Sequence, residues 1–206
     1  MSTPTPTTLY EFVILCLDRE TGKTIWQKVA HKEVPHEGHH PSHGYASASP
    51  TTDGQYLYAS FGSRGLFCYN LQGDLQWKRD LGNMRTRIGF GEGTSPVLYG
   101  NSLIVNWDHE GDSFIACLDA KTGEVKFQQR LEPRPGIVYS SSIIADGKWF
   151  CVSQHNGTYV MDAKPAFKLL SHNAFSKESS RTNACPIVHN NQLLIRSDKF
   201  LYCIGN

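Results

Sequence analysis

Histidines and carboxylates crowd two short stretches of this chain. His31, His36, Glu37, His39, His40 and His43 fall within thirteen residues, and Asp108-His109-Glu110-Gly111-Asp112 follows later. Imidazole nitrogens and carboxylate oxygens bind zinc and other divalent ions. The tripeptide His-Glu-Gly occurs in both stretches, at 36–38 and at 109–111. The metal-ligating set that follows is His36, Glu37, His39, His40, His43, Asp108, His109, Glu110 and Asp112. A polar, internally hydrogen-bonded loop with no ion is the alternative reading of the same residues. A second group, Arg85, Arg87, Arg134 and Arg181 together with Lys177, is spread over other connecting segments and could bind a ligand.

Other patterns carry less chemistry. Gly89-Phe90-Gly91-Glu92-Gly93 is glycine-rich but leads into a strand, so it reads as a tight connection and not as a phosphate loop. Gly62-Ser63-Arg64-Gly65 lacks the Gly-x-Ser-x-Gly spacing of a hydrolase elbow. Asn156-Gly157-Thr158 fits a glycosylation acceptor, yet Asn-Gly is equally a hairpin turn. No catalytic set emerges.

The elements that must position these residues are repeated. Leu17-Asp18-Arg19-Glu20-Thr21-Gly22-Lys23-Thr24-Ile25-Trp26 returns as Leu118 to Phe127 and, one residue shorter, as Tyr69 to Trp77. Met161-Asp162-Ala163-Lys164-Pro165 opens the same way and then diverges. Each copy is the end of an apolar strand, an Asp or Asn that starts a turn and a second strand, and three of the turns close on Gly. Small first-strand markers, Ser49, Ser95, Ser141 and Cys185, are separated by 46, 46 and 44 residues. Four short strands at such a period predict the blades of an all-β propeller. The blades fall near 46–81, 92–131, 139–172 and 182–206, with a further hairpin at 12–30. The N-terminal segment 1–11, rich in Pro and Thr, reads as a disordered tail.

The six cysteines fit the same scheme. Cys16, Cys68, Cys117 and Cys203 share one repeat position, just before the turn. Equivalent positions lie about a repeat apart, whereas a disulfide needs Cα atoms within ~7 Å. These residues read as small buried apolar side chains. Hydrophobic residues make up 39% of the chain, enough for a sizeable core, and the net charge of +1 gives no basis for nucleic-acid binding. No apolar run reaches the ~20 residues that span a bilayer, and the N-terminus does not read as a signal peptide.

The pattern Asp-x-x-Thr-Gly-x-x-x-Trp at Asp18–Trp26, with Phe for Trp at Asp119–Phe127, resembles the tryptophan-docking repeat of the PQQ-like propellers. This family includes quinoprotein dehydrogenases and a scaffold lipoprotein of outer-membrane barrel assembly. The chain looks most like its bacterial, planctomycete-type BamB-like members, over about residues 12–204. The resemblance implies a periplasmic or other extracytoplasmic location. It also implies a scaffold that binds a protein or glycan partner through its loop-rich face. Full rings of this type have more blades, so the chain reads as a shortened or partial ring of about four. Open blade edges could then drive oligomerisation. The alternative function is a metal-binding module or metal-dependent hydrolase built on the His-rich face. A quinone-dependent oxidoreductase is the least favoured, because there is no Cys-Cys pair and half the ring is missing. PQQ is therefore not expected, and a divalent metal is the one cofactor the residues could hold.

Overall fold

The computed structural model describes residues 2–175 and 180–205, and Lys177 lies outside them. Strands β1 (Tyr10–Leu17) and β2 (Thr24–Glu33) form a two-stranded sheet. Three four-stranded antiparallel meanders follow. They are β3 (Thr51–Thr52), β4 (Tyr56–Ser60), β5 (Leu66–Asn70) and β6 (Leu75–Arg79); then β7 (Val97–Tyr99), β8 (Ser102–Trp107), β9 (Phe114–Asp119) and β10 (Val125–Gln129); then β11 (Ile143–Ala145), β12 (Lys148–Val152), β13 (Thr158–Asp162) and β14 (Leu169–Asn173). A three-stranded sheet of β15 (Ile187–His189), β16 (Gln192–Arg196) and β17 (Leu201–Ile204) ends the chain. These are propeller blades, as the period predicts. The chain divides into two compact units, Met1–Pro96 with His109–Gly111, and Val97–Asp108 with Asp112–Asn206.

The repeated turn has one internal logic. The backbone carbonyl of Asp18 accepts from Gly22, that of Asn70 from Gly73 and that of Asp119 from Gly123. In each copy the side-chain oxygen also takes backbone amides, from Thr21 at Asp18, from Gln72 and Asp74 at Asn70, and from Lys121 and Thr122 at Asp119. Such bonds close the turn without help from the rest of the fold. Register then fixes what faces what. Cys16 lies opposite Trp26, Cys68 opposite Trp77 and Cys117 opposite Phe127. A small thiol leaves room for the ring across the pair. All six cysteines are free, and Cys68 and Cys117 are buried as expected. Cys16 is instead half-buried and Cys203 exposed, because they stand in the two- and three-stranded sheets. Burial pushes the Cys68 and Cys151 thiols up to about 12.

The aromatics dock one blade on the next. The Trp26 indole N–H donates to the Leu71 carbonyl at 2.9 Å, inside the turn of the following blade. Gly73 in that turn has φ of 84°, and a Cβ there would sit 2.9 Å from the indole. In the other unit Phe127 packs edge-on against Phe167. The first unit's core joins Phe12, Ile14, Phe61, Phe67 and Tyr69, and the second's joins Ile115, Cys117, Trp149, Tyr159 and Met161. The first-strand markers also bond between repeats. The Ser49 amide donates to Ser95 Oγ, and the Ser141 amide donates to Cys185 Sγ.

The N-terminal segment differs from the expectation of a disordered tail. Tyr10 and Glu11 already belong to β1. The Thr3 amide and hydroxyl both donate to the His39 carbonyl, and the His39 amide donates to Thr3 Oγ1. A loop peptide without a strand partner needs its polar groups satisfied, and Thr3 supplies both halves.

The turns generate three expectations. Gly73→Ala forces an L-residue into a left-handed backbone against the indole and should cost about 1–2 kcal/mol or more in urea unfolding. Trp26→Phe keeps the ring but loses the indole bond, at about 1 kcal/mol. The third expectation concerns acid. Bonds from the Thr21 hydroxyl and amide hold Asp18 below its ordinary value; at Asp119 burial pushes upward but the bonds from Thr122 and Lys121 outweigh it. With folded values below the unfolded ~3.9, this stabilisation is complete above about pH 4 and is lost as pH falls through the folded values. The Asp18→Asn/Asp119→Asn double variant should keep its turns at neutral pH, since Asn70 already serves in the third copy. Its melting temperature should fall less steeply below about pH 4 than the parent's.

Candidate functional site

The His-rich loop runs from β2 to β3 within the first unit, and its side chains are held individually. His36 Nε2 lies 2.7 Å from the Met84 carbonyl, which can only accept, so the proton sits on Nε2. Glu37 Oε1 accepts from the Thr86 amide at 3.0 Å and the Thr86 hydroxyl at 2.6 Å. His39 Nδ1 bonds the His40 carbonyl, and its ring meets Tyr45 edge-on. His40 Nδ1 bonds Ser42 Oγ, and His43 Nδ1 lies 3.4 Å from Ser47 Oγ. His31 Nε2 lies 3.0 Å from Glu33 Oε2.

The two His-Glu-Gly tripeptides share one strip of backbone, Met84–Arg85–Thr86. On one side it binds His36 and Glu37, as above. On the other, the Arg85 amide donates to His109 Nδ1 at 3.2 Å, and the Glu110 amide donates to the Arg85 carbonyl at 2.9 Å. Arg85 Nη2 also donates to the Glu110 carbonyl. The remaining predicted residues are engaged in the second unit. Asp108 Oδ2 accepts from the Val138 amide, and Asp112 pairs with Arg130. The four arginines divide likewise. Arg85 and Arg87 belong to the first unit, with Arg87 opening a short 3-10 turn. Arg134 and Arg181 belong to the second; the Arg134 carbonyl accepts from Asn156, and Arg181 bonds Asp198.

Beneath the His-rich loop lies a group that sequence reading missed. Arg64 is 4% exposed. Its Nη1 donates to Glu92 Oε1 at 2.9 Å, its Nε lies 3.2 Å from Glu33 Oε1 outside hydrogen-bond geometry, and its guanidinium carbon sits 4.7 Å from the Tyr45 ring centre. Glu92 also accepts from the Ser63 amide and hydroxyl, each at 2.6 Å. Gly62, with φ of 59°, makes this possible, because a Cβ there would overlap Glu92 Oε2. The Tyr45 hydroxyl reaches up to the Glu37 carbonyl at 2.8 Å. The result brings His36, Glu37 and Glu92 together, one ligand atom of each within 4.8 Å of the others. Nothing in the spacing of Glu92 marked it; the only signal was a single carboxylate inside a glycine-rich connector.

Successive four-stranded antiparallel blades, docked by aromatics onto Asp- or Asn-based turns, define a β-propeller protein. The chain belongs to the PQQ-like family described as outer membrane protein assembly factor BamB, which matches residues 11–204. No curated protein matches the sequence. Among solved structures, BamB from Moraxella catarrhalis is similar at a TM-score of 0.65 and 14% identity, over 90% of this chain and 50% of that one. Quinohemoprotein alcohol dehydrogenase from Comamonas testosteroni gives 0.63 and 10%, over 94% and 38% respectively. The computationally designed Ika4 protein gives 0.58 and 12%, over 80% and 94%. At these identities the likeness is one of fold. The chain spans half the length of the Moraxella protein.

The buried ion pair should be sensitive to loss of either partner. Arg64→Met or Glu92→Gln should each cost about 3–5 kcal/mol in urea unfolding, and the double variant less than their sum.

Proposed function

We propose that this protein is a non-enzymatic propeller scaffold that binds a protein partner through the loops gathered around Met84–Thr86. The observation that supports it is the pinning of both His-Glu-Gly tripeptides on that one strip. A surface held in this way has little ordering entropy left to lose on binding. Beside the strip, Ile88 is 64% exposed and Phe90 40% exposed, the latter edge-on to His40. Exposed apolar side chains rimmed by Arg and His have the composition of an interaction surface. Family membership supports the same role, and extends it to an extracytoplasmic setting. Among the described residues no helix is long and apolar enough to cross a membrane.

Photo-crosslinking in cells tests the reading. A crosslinking residue at 88 or 90 should capture one and the same protein, and one at the exposed Leu75 or Val125 should not. The purified partner should then bind Ile88→Asp/Phe90→Asp at least about tenfold more weakly, a loss of ~1.4 kcal/mol. Equal capture at all four positions, or glycan binding with no protein captured, would overturn it.

A further inference from the structure

We infer that His36, Glu37 and Glu92 bind one divalent first-row transition-metal ion. Among the described residues they are the group of three ligating side chains whose donor atoms converge, all within 4.8 Å. One imidazole nitrogen with two carboxylates suits zinc, manganese or iron(II), whereas thiolate sites and all-oxygen sites select other ions.

Each donor is oriented by a partner outside the trio. The Met84 carbonyl takes the Nε2 proton of His36 and leaves the Nδ1 lone pair for an ion. Thr86 occupies Glu37 Oε1 twice and leaves Oε2. Ser63 and Arg64 fix Glu92. A carbonyl on the far nitrogen of a ligating histidine and bonded carboxylates are the usual outer shell of a metal site.

Charge points the same way. Arg64 lies against Glu33 and Glu92, Glu37 converges on the same Glu92, and the Glu92 side chain is only 7% exposed. The Arg64 Nη2 has no hydrogen-bond partner among the described residues, so that cation is not fully engaged with these carboxylates. Two carboxylates this close repel unless a cation stands near both. His36 is exposed, which gives an ion a route in. The other loop histidines, His39, His40 and His43, bond within their own loop, so their removal should leave the site intact. The site does not depend on the scaffold reading, and its readout is separate from partner capture.

The test is titration of the purified chain with Co2+, read by visible absorption and calorimetry, with Zn2+ as competitor. One equivalent should bind. Losing a ligand costs at least what losing an outer-shell partner does, so His36→Ala and Glu37→Gln should each weaken binding by about 10–100-fold or more, and Thr86→Ala by about 10-fold. The His39→Ala/His40→Ala/His43→Ala triple variant should bind as the parent does. Glu92 is left unaltered because Arg64 depends on it, and unfolding of each variant without metal confirms that it folds. No uptake by the parent, equal binding by His36→Ala, or loss confined to the triple variant would each overturn the assignment.

Discussion

The first unit depends on one buried cation. Arg64 stands on a short turn between β4 and β5, shielded from water and covered by the Tyr45 ring. A guanidinium in such a place must be compensated or it is not tolerated. Its partners come from three separate segments. Glu33 is the last residue of β2, Glu92 comes from the glycine-rich connector, and Tyr45 comes from the His-rich loop. Satisfying Arg64 therefore fixes where each of those segments runs. Ser63, its neighbour, bonds both Glu92 and the Met84 amide and so extends the constraint to the strip beyond.

That strip turns a local charge problem into a surface. Met84, Arg85 and Thr86 are in no strand, yet their backbone groups are bonded to His36, Glu37, His109 and Glu110. Loops of a propeller are free to vary because the blades carry the fold, and binding residues collect there for that reason. Here the loops are not loose. The proposed scaffold role would need this combination of varied side chains and a fixed backbone. A metal ion between His36 and the two carboxylates would tighten the same network and would leave its blades unchanged.

The blades rest on a simpler device, used repeatedly. An Asp or Asn closes a turn through its own downstream amides, an aromatic stands four residues beyond the glycine, and Trp26 and Phe127 reach the following blade. A cysteine opposite the aromatic keeps the pair compact. None of these parts is strong alone, since a lone hairpin is marginal. Stacked copies bury each other's faces, which is how repeat folds obtain their stability.

The sequence by itself determined the blades. The turn at Asp18, Asn70 and Asp119 is made by residues within five positions of each other, and strand alternation and the repeat period are also read along the chain. Such features are legible because their energetics are local. The His-rich loop was legible as a donor-rich stretch, and His36 and Glu37 were named among its members. Only the tertiary structure decided which of those donors converge, because that depends on a contact made 28 positions away in sequence, between Arg64 and Glu92. No periodicity connects an arginine in one loop to a carboxylate in another. Their pairing follows from the cost of burying a charge, and that cost exists only once the blades have packed.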